Sequence, residues 1–66
     1  MTNLFHDYLV TWGKALYDYS PTSADEAPLV ENSRVAVVDS SDLDWFKIED
    51  GGKIGMVPAA YIELDG

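Results

Sequence analysis

Apolar residues change their spacing part-way along this chain. Leu4, Phe5, Tyr8, Leu9 and Trp12 recur at intervals of three and four, the pattern of an amphipathic helix. Thr2 or Asn3 can cap its start and Gly13 can end it. A lone helix of that length is marginal in water without a surface to pack on. Residues 1–12 are therefore expected as a leader, either partly disordered or packed on the domain or on a second copy. From Ala15 onward the pattern is that of short strands. The stretch 15–19 is short and aromatic, and Ser20-Pro21 bounds it. Residues 20–27 form a polar, acidic loop. Val35 to Val38 is a β-branched run broken only by Ala36. A second acidic loop covers 40–44, and Trp45 to Glu49 alternates as a half-buried strand. Asp50-Gly51-Gly52 is the strongest hairpin signal, because glycine supplies the positive φ of a tight turn. Lys53 to Val57 pairs back, Pro58 stops it, Ala59 to Tyr61 has room for one 3-10 turn, and Ile62 to Leu64 closes the chain. Frequent turns between short strands predict a small all-β barrel.

Composition narrows the class. A chain of 66 residues holds one small domain, which buries only about 60% of the surface its unfolded chain exposes. It has no cysteine, so neither a disulfide framework nor a thiolate metal site supports it. The formal net charge of −8 repels nucleic acid and anionic membranes and attracts cationic partners. No apolar run approaches the ~20 residues of a membrane span. The first residues lack the basic start of a signal peptide and carry Asp7. A cytoplasmic adaptor module is the expected class, as a monomer unless the leader mediates a dimer.

Specific motifs sharpen this. Ala15-Leu16-Tyr17-Asp18-Tyr19 resembles the opening signature of Src-homology-3 (SH3) domains. Asp25-Glu26 lies where that family carries acids in its long RT loop. Asp44-Trp45-Phe46 resembles the aromatic pair after its n-Src loop. Gly55-Met56-Val57-Pro58-Ala59-Ala60-Tyr61 resembles its Gly-x-x-Pro-x-x-Tyr closing motif, most like the spectrin-type members. The elements stand in the family's order and cover residues 15–64. The resemblance implies a five-stranded SH3-type barrel of two packed antiparallel sheets over 13–66. It also implies a peptide groove lined by Tyr17, Tyr19, Trp45, Pro58 and Tyr61.

Those residue types suit that ligand on physical grounds. A polyproline II peptide is stiff before it binds, so little ordering entropy is lost. Tyrosine and tryptophan make flat apolar walls whose polar ends can bond free carbonyls. The resemblance implies that Trp45 faces the groove, and period-two alternation then puts Phe46 on the other side. Acids on two loops beside Trp45 make a cationic specificity pocket: Asp25 and Glu26 on one loop, Asp42 and Asp44 on the other. Glu26 aligns with the family's main acid for arginine or lysine. Asp18 is expected to be structural and Asp39 solvated. The expected partner is a proline-rich peptide of PxxP type with flanking Arg or Lys, bound at micromolar affinity. Neither nucleic acid nor membrane is expected as a partner.

Several residues depart from the family pattern. Met56 replaces a common aromatic, and Ala60 replaces an asparagine that donates to the ligand, removing about 1 kcal/mol. Ala27 and Gly13 are smaller than the usual core residues, which leaves space that Trp12 could fill. Pro28 belongs at an edge or bulge. Asn32 replaces a turn glycine and tolerates the left-handed conformation. Catalysis is not expected: His6 is the single histidine, and no nucleophile–base grouping, metal-ligand cluster or phosphate loop accompanies it. No cofactor is expected. Two other readings stay open, a methyl-lysine-reading barrel with an aromatic cage and an SH3 domain that self-associates or masks itself through its leader. Ubiquitin-binding members of the family carry phenylalanine at the closing tyrosine, so Tyr61 argues against that specialisation.

Overall fold

The computed structural model describes residues 11–65. Strands β1 (Thr11–Ala15), β2 (Arg34–Asp39), β3 (Trp45–Asp50) and β4 (Lys53–Pro58) precede a 3-10 turn at Ala59–Tyr61 and β5 (Ile62–Leu64). Neighbours pair antiparallel in the order β4-β3-β2-β1-β5. Val57 of β4 and Ile62 of β5 share one buried cluster with Ala15, Ala27, Leu29, Val35, Val37 and Ile48. Side chains from the two ends of that order meet only if the sheet bends over on itself. The two packed layers are therefore halves of one continuous curled sheet.

The tight turns follow from local chemistry. Asp50 pairs with Lys53 across Gly51 and Gly52, whose φ angles are 61° and 87°. A two-residue hairpin with both central residues at positive φ matches the strand twist, and glycine adopts it without strain. Asn32 takes φ 71°, as its side chain permits, and its amide donates to the Ala15 carbonyl at 2.8 Å.

The first strand lies earlier than the sequence pattern indicates. It occupies Thr11–Ala15, and residues 16–18 have already left the sheet. Gly13 and Ala15 face inward and are buried, while Lys14 is exposed. The inward residues are so small that hydropathy does not register the alternation. Trp12, expected on a helix face, is a strand residue paired with Ala36, and the Arg34 guanidinium lies 4.2 Å from its ring centroid. It does not fill a space at Gly13. Leu4, Phe5, Tyr8 and Leu9, with the rest of the expected helix, lie outside the described residues.

No void follows from the two small residues either. A Cβ on Gly13 would lie 2.9 Å from the Glu63 carbonyl oxygen and 3.1 Å from Ile62 Cγ2, so β1 and β5 approach too closely for a side chain. Ala27 meets an equally small partner: a Cβ on Gly55 would lie 2.6 Å from Ala27 Cβ. At this point the long loop between β1 and β2 rests on β4. The Ala27 amide donates to the Met56 carbonyl and the Met56 amide to the Asp25 carbonyl, each at 2.9 Å. The base of the loop is closed by reciprocal bonds between Tyr19 and Leu29 of 3.0 and 3.1 Å. Asp18, expected to be structural, accepts the Glu31 amide at 2.8 Å. At the other end of the chain, the Asp65 amide donates to the Trp12 carbonyl at 2.9 Å, so the chain enters and leaves side by side.

Gly55→Ala should therefore force the loop off β4, at a cost of about 1–3 kcal/mol. Thermal unfolding should show a midpoint lower by several degrees. The exchange Ala27→Gly with Gly55→Ala should recover part of that loss, and a double variant no better than the single one would refute the contact.

Candidate functional site

The 3-10 turn sets Tyr61 between two other tyrosines. Its ring stands edge-on to Tyr17, with centroids 5.2 Å apart and planes at 74°, and to Tyr19 at 5.6 Å and 85°. Edge-to-face pairs are the favoured aromatic geometry, and they leave flat ring faces as slot walls. Tyr17 is 56% exposed, whereas Tyr19 and Tyr61 also pack against the core. Pro58 ends β4 next to this turn and pairs in register with Trp45. Both are half-buried. Phe46, the next residue, packs against the core, as strand alternation requires. Tyr17, Tyr61, Pro58 and Trp45 thus succeed one another along the surface.

Beyond Trp45 lies a pocket of about 280 Å³ lined by Asp25, Glu26, Trp45 and Met56. The structure brings the first acidic pair and Trp45 together, with Met56 where the sequence departs from an aromatic. The pocket has one aromatic wall, whereas a cage around a methylated ammonium needs several rings.

Glu26 is held by its own loop. Its Oε1 accepts the Tyr19 hydroxyl at 2.6 Å, the Thr22 amide at 2.8 Å and the Thr22 hydroxyl at 3.1 Å. Its Oε2 accepts the Ser23 hydroxyl at 3.0 Å and Thr22 Oγ1 at 3.2 Å. The Thr22 amide first, then the Tyr19 hydroxyl, lower its pKa from 4.5 to about 2, because hydrogen bonds to the charged form favour it. The same bond raises the Tyr19 pKa above its ordinary value of 10.0, since ionising Tyr19 would remove the donor. Ser23 also donates to Asp25 Oδ1 at 2.6 Å.

On the other loop the exposed Asp42 braces its own backbone. Its Oδ1 accepts the amides of Asp44 at 2.7 Å and Trp45 at 3.1 Å, a local side-chain turn that delivers the chain to β3. The Asp44 carbonyl accepts the Ala59 amide at 2.9 Å, tying this loop to the 3-10 turn. Asp39, expected as merely solvated, accepts the hydroxyl and amide of Ser41 at 2.7 and 2.9 Å, which lower its pKa. Sequence reasoning passed over Thr22 and Ser23, which lock Glu26. Short hydroxyl side chains three and four residues before a loop acid were the available signal.

Comparison with known proteins adds the family. A model described as variant SH3 domain matches residues 15–63. The actin cytoskeleton-regulatory complex protein sla1 of Sclerotinia sclerotiorum is 43% identical over 51 residues, which cover 77% of this chain and 4% of that protein. The myosin IC heavy chain of Acanthamoeba castellanii is 39% identical over 51 residues, again 77% of this chain and 4% of that protein. The chain thus spans a small part of the curated relatives it matches. Among solved structures, the C-terminal SH3 domain of myosin IB from Entamoeba histolytica has a TM-score of 0.77 at 24% identity, covering 86% of this chain and 95% of that one. The same domain bound to the EhFP10(GEF) peptide gives 0.76 at 25% identity, covering 85% and 93%.

The Glu26 cluster predicts a pH dependence. A carboxyl whose pKa falls from 4.5 to about 2 on folding stabilises the fold fully above its unfolded value, and the contribution is lost as pH falls through the folded one. Tyr19, with its pKa raised above 10.0, contributes below that value and loses the contribution as pH rises through its folded pKa. Urea unfolding should show a midpoint falling below pH 4.5. Glu26→Gln should lower the midpoint at neutral pH and flatten the acid limb. An acid limb identical to the parent's would assign it to other carboxylates.

Proposed function

The chain belongs to the SH3 domain family, and on that premise we propose that it binds proline-rich peptides carrying arginine or lysine beside the proline core. The observation that carries the reading is the convergence on one face of flat tyrosine slots and an anionic pocket. Tyr61 contacts both Tyr17 and Tyr19, and Trp45 joins Asp25 and Glu26 in the pocket. The prolines of a polyproline II ligand occupy the slots along Tyr17, Tyr61, Pro58 and Trp45, where the helix needs walls rather than hydrogen-bond ladders. The basic residue enters the pocket, its alkyl stem on Trp45 and Met56 and its charge toward Asp25 and Glu26.

The two acids divide that work. Glu26 supplies a fixed charge, anionic well below neutral pH, whose oxygens are largely engaged by the loop. Asp25, exposed at the rim, supplies the adaptable partner. Asp42 and Asp44 add to the field and shape the loop that presents Trp45. Exposed pairs contribute only about 0–1 kcal/mol each, so affinity stays micromolar and charge acts mainly on selectivity and on-rate. A solved neighbour of this fold holds a peptide, which favours a peptide as ligand here. The domain acts by binding alone, without cofactor or metal. Matches in actin-regulatory and myosin proteins favour a role in the cytoplasm, within a cytoskeletal adaptor or motor.

Isothermal titration with a proline-rich, arginine-flanked peptide tests the reading. Trp45→Ala should weaken binding at least about tenfold, the loss of a buried aromatic wall, with the thermal midpoint nearly unchanged. Added salt should weaken the arginine peptide more than a neutral analogue, because exposed charges are screened over ~8 Å at physiological ionic strength. Parent-like binding by Trp45→Ala would reject the groove, and equal salt effects on both peptides would reject the pocket's charge role.

A further inference from the structure

Two adjoining hollows lie apart from the aromatic slots. The smaller, of about 80 Å³, is bounded by Ala24 and Pro28 of the long loop and by Lys53 and Ile54 of β4. The larger, of about 260 Å³, lies between Val30 and the residues Val35 and Ile48 of β2 and β3. Pro28 and Asp50 line both, so the two are continuous. None of Tyr17, Tyr19, Trp45, Pro58 and Tyr61 lines either. Each holds a large exposed apolar residue, Ile54 in the smaller and Val30 in the larger.

A main-chain donor and acceptor stand beside the smaller hollow. β4 is an edge of the sheet. Rungs of an antiparallel ladder alternate between pairs that exchange hydrogen bonds and pairs that do not. The two-residue turn at Gly51-Gly52 makes Asp50 and Lys53 an exchanging pair. Ile54, one rung on, therefore turns its N–H and C=O away from β3, and so does Met56. Met56 agrees with this parity, because its amide and carbonyl bond to Asp25 and Ala27 of the long loop. The loop does not follow the edge as far as Ile54. It turns at Ser23, whose carbonyl accepts the Glu26 amide at 3.2 Å. Among the described residues, the outward N–H and C=O of Ile54 thus have no main-chain partner.

We propose that this edge of β4 is a second docking site, whose occupant is an extended segment of another protein with alternating basic and apolar residues. An unpaired N–H and C=O on one edge residue are met by the main chain of an added strand, which offers both complements. A helix has spent its own on internal bonds. Side chains of the added strand alternate between two faces. The apolar set covers Ile54, and the other set meets Asp50. Charge makes that second set basic. Glu26, Glu49 and Asp50 stand against Lys53 and Arg34 around the two hollows, and the Arg34 guanidinium is drawn over the Trp12 ring at 4.2 Å. A segment that continues past Asp50 brings a further apolar residue to Val30. The site uses none of the aromatic slots, so the domain can hold two segments at once.

The test titrates the labelled domain with the proline-free peptide acetyl-Lys-Val-Lys-Val-Lys-amide, followed by NMR, with serine in place of each lysine as control. In the free domain the Ile54 amide should exchange with solvent freely while the Met56 amide is protected. The lysine peptide should shift the Ile54 and Asp50 amides and slow exchange at Ile54 at least about threefold at saturation. Ile54→Thr keeps the β-branched shape that suits a strand and should weaken the peptide roughly three- to tenfold, the scale of partial burial of one aliphatic side chain. Asp50→Asn should narrow the gap between the lysine peptide and its serine control. Trp45→Ala should bind the lysine peptide as the parent does. A protected Ile54 amide in the free domain would overturn the edge site. So would shifts confined to Trp45 and the tyrosines, a loss in Trp45→Ala as large as in Ile54→Thr, or no shift at millimolar peptide. Each of these outcomes leaves the proline-rich reading standing, because that reading is tested by a different ligand.

Discussion

The site depends on a contact between two of the smallest residues in the chain. Gly55 has no Cβ, and the space where one would stand is occupied by Ala27. Only this absence lets the long loop lie flat on β4 and exchange two backbone hydrogen bonds with Met56. Those bonds set the loop's height and lateral position. They bring Asp25 and Glu26 to one side of a pocket whose opposite wall is Trp45. A larger residue at either position would raise the loop and widen the pocket, whatever the chemistry of its acids.

Glu26 joins the fold to its electrostatics. The Tyr19 hydroxyl, the Thr22 amide and the side chains of Thr22 and Ser23 surround it, so its negative charge is stationary. Tyr19 carries the link further, because its ring abuts Tyr61. The acidic pocket and the aromatic slots therefore share one hydrogen bond, and displacement of either reaches the other. On the proposed reading, the side chains that recognise the peptide are also ones that hold the fold.

Much of this was legible in the chain. The hairpin at Gly51-Gly52, the 3-10 turn and the last three strands follow from turn chemistry and alternation, which act over a few residues. The alternation at Trp45 and Phe46 likewise separates the pocket wall from the core. The start of β1 was not legible, because its inward residues are Gly13 and Ala15 and its outward ones include Trp12, which inverts the usual hydropathic signal. The fit of Ala27 to Gly55 was also hidden. Each looked undersized alone, and their complementarity joins positions 28 residues apart. The charge of Asp42 is visible in sequence, whereas the turn its Oδ1 makes with the Asp44 and Trp45 amides is not.

The bond between the Asp65 amide and the Trp12 carbonyl has a mechanical side. β1 and β5 are antiparallel, with Gly13 opposite Leu64 and Ala15 opposite Ile62. A tension applied through the two ends of the domain therefore loads their ladder one rung at a time, from the Trp12 end inward. It is never shared across the rungs in parallel, as it would be if the ends emerged at opposite poles. Strands pulled in this geometry peel at low force. In a longer protein that bears load, such a domain would open from the Trp12–Asp65 end, parting β1 from β5 before the β3–β4 hairpin is loaded.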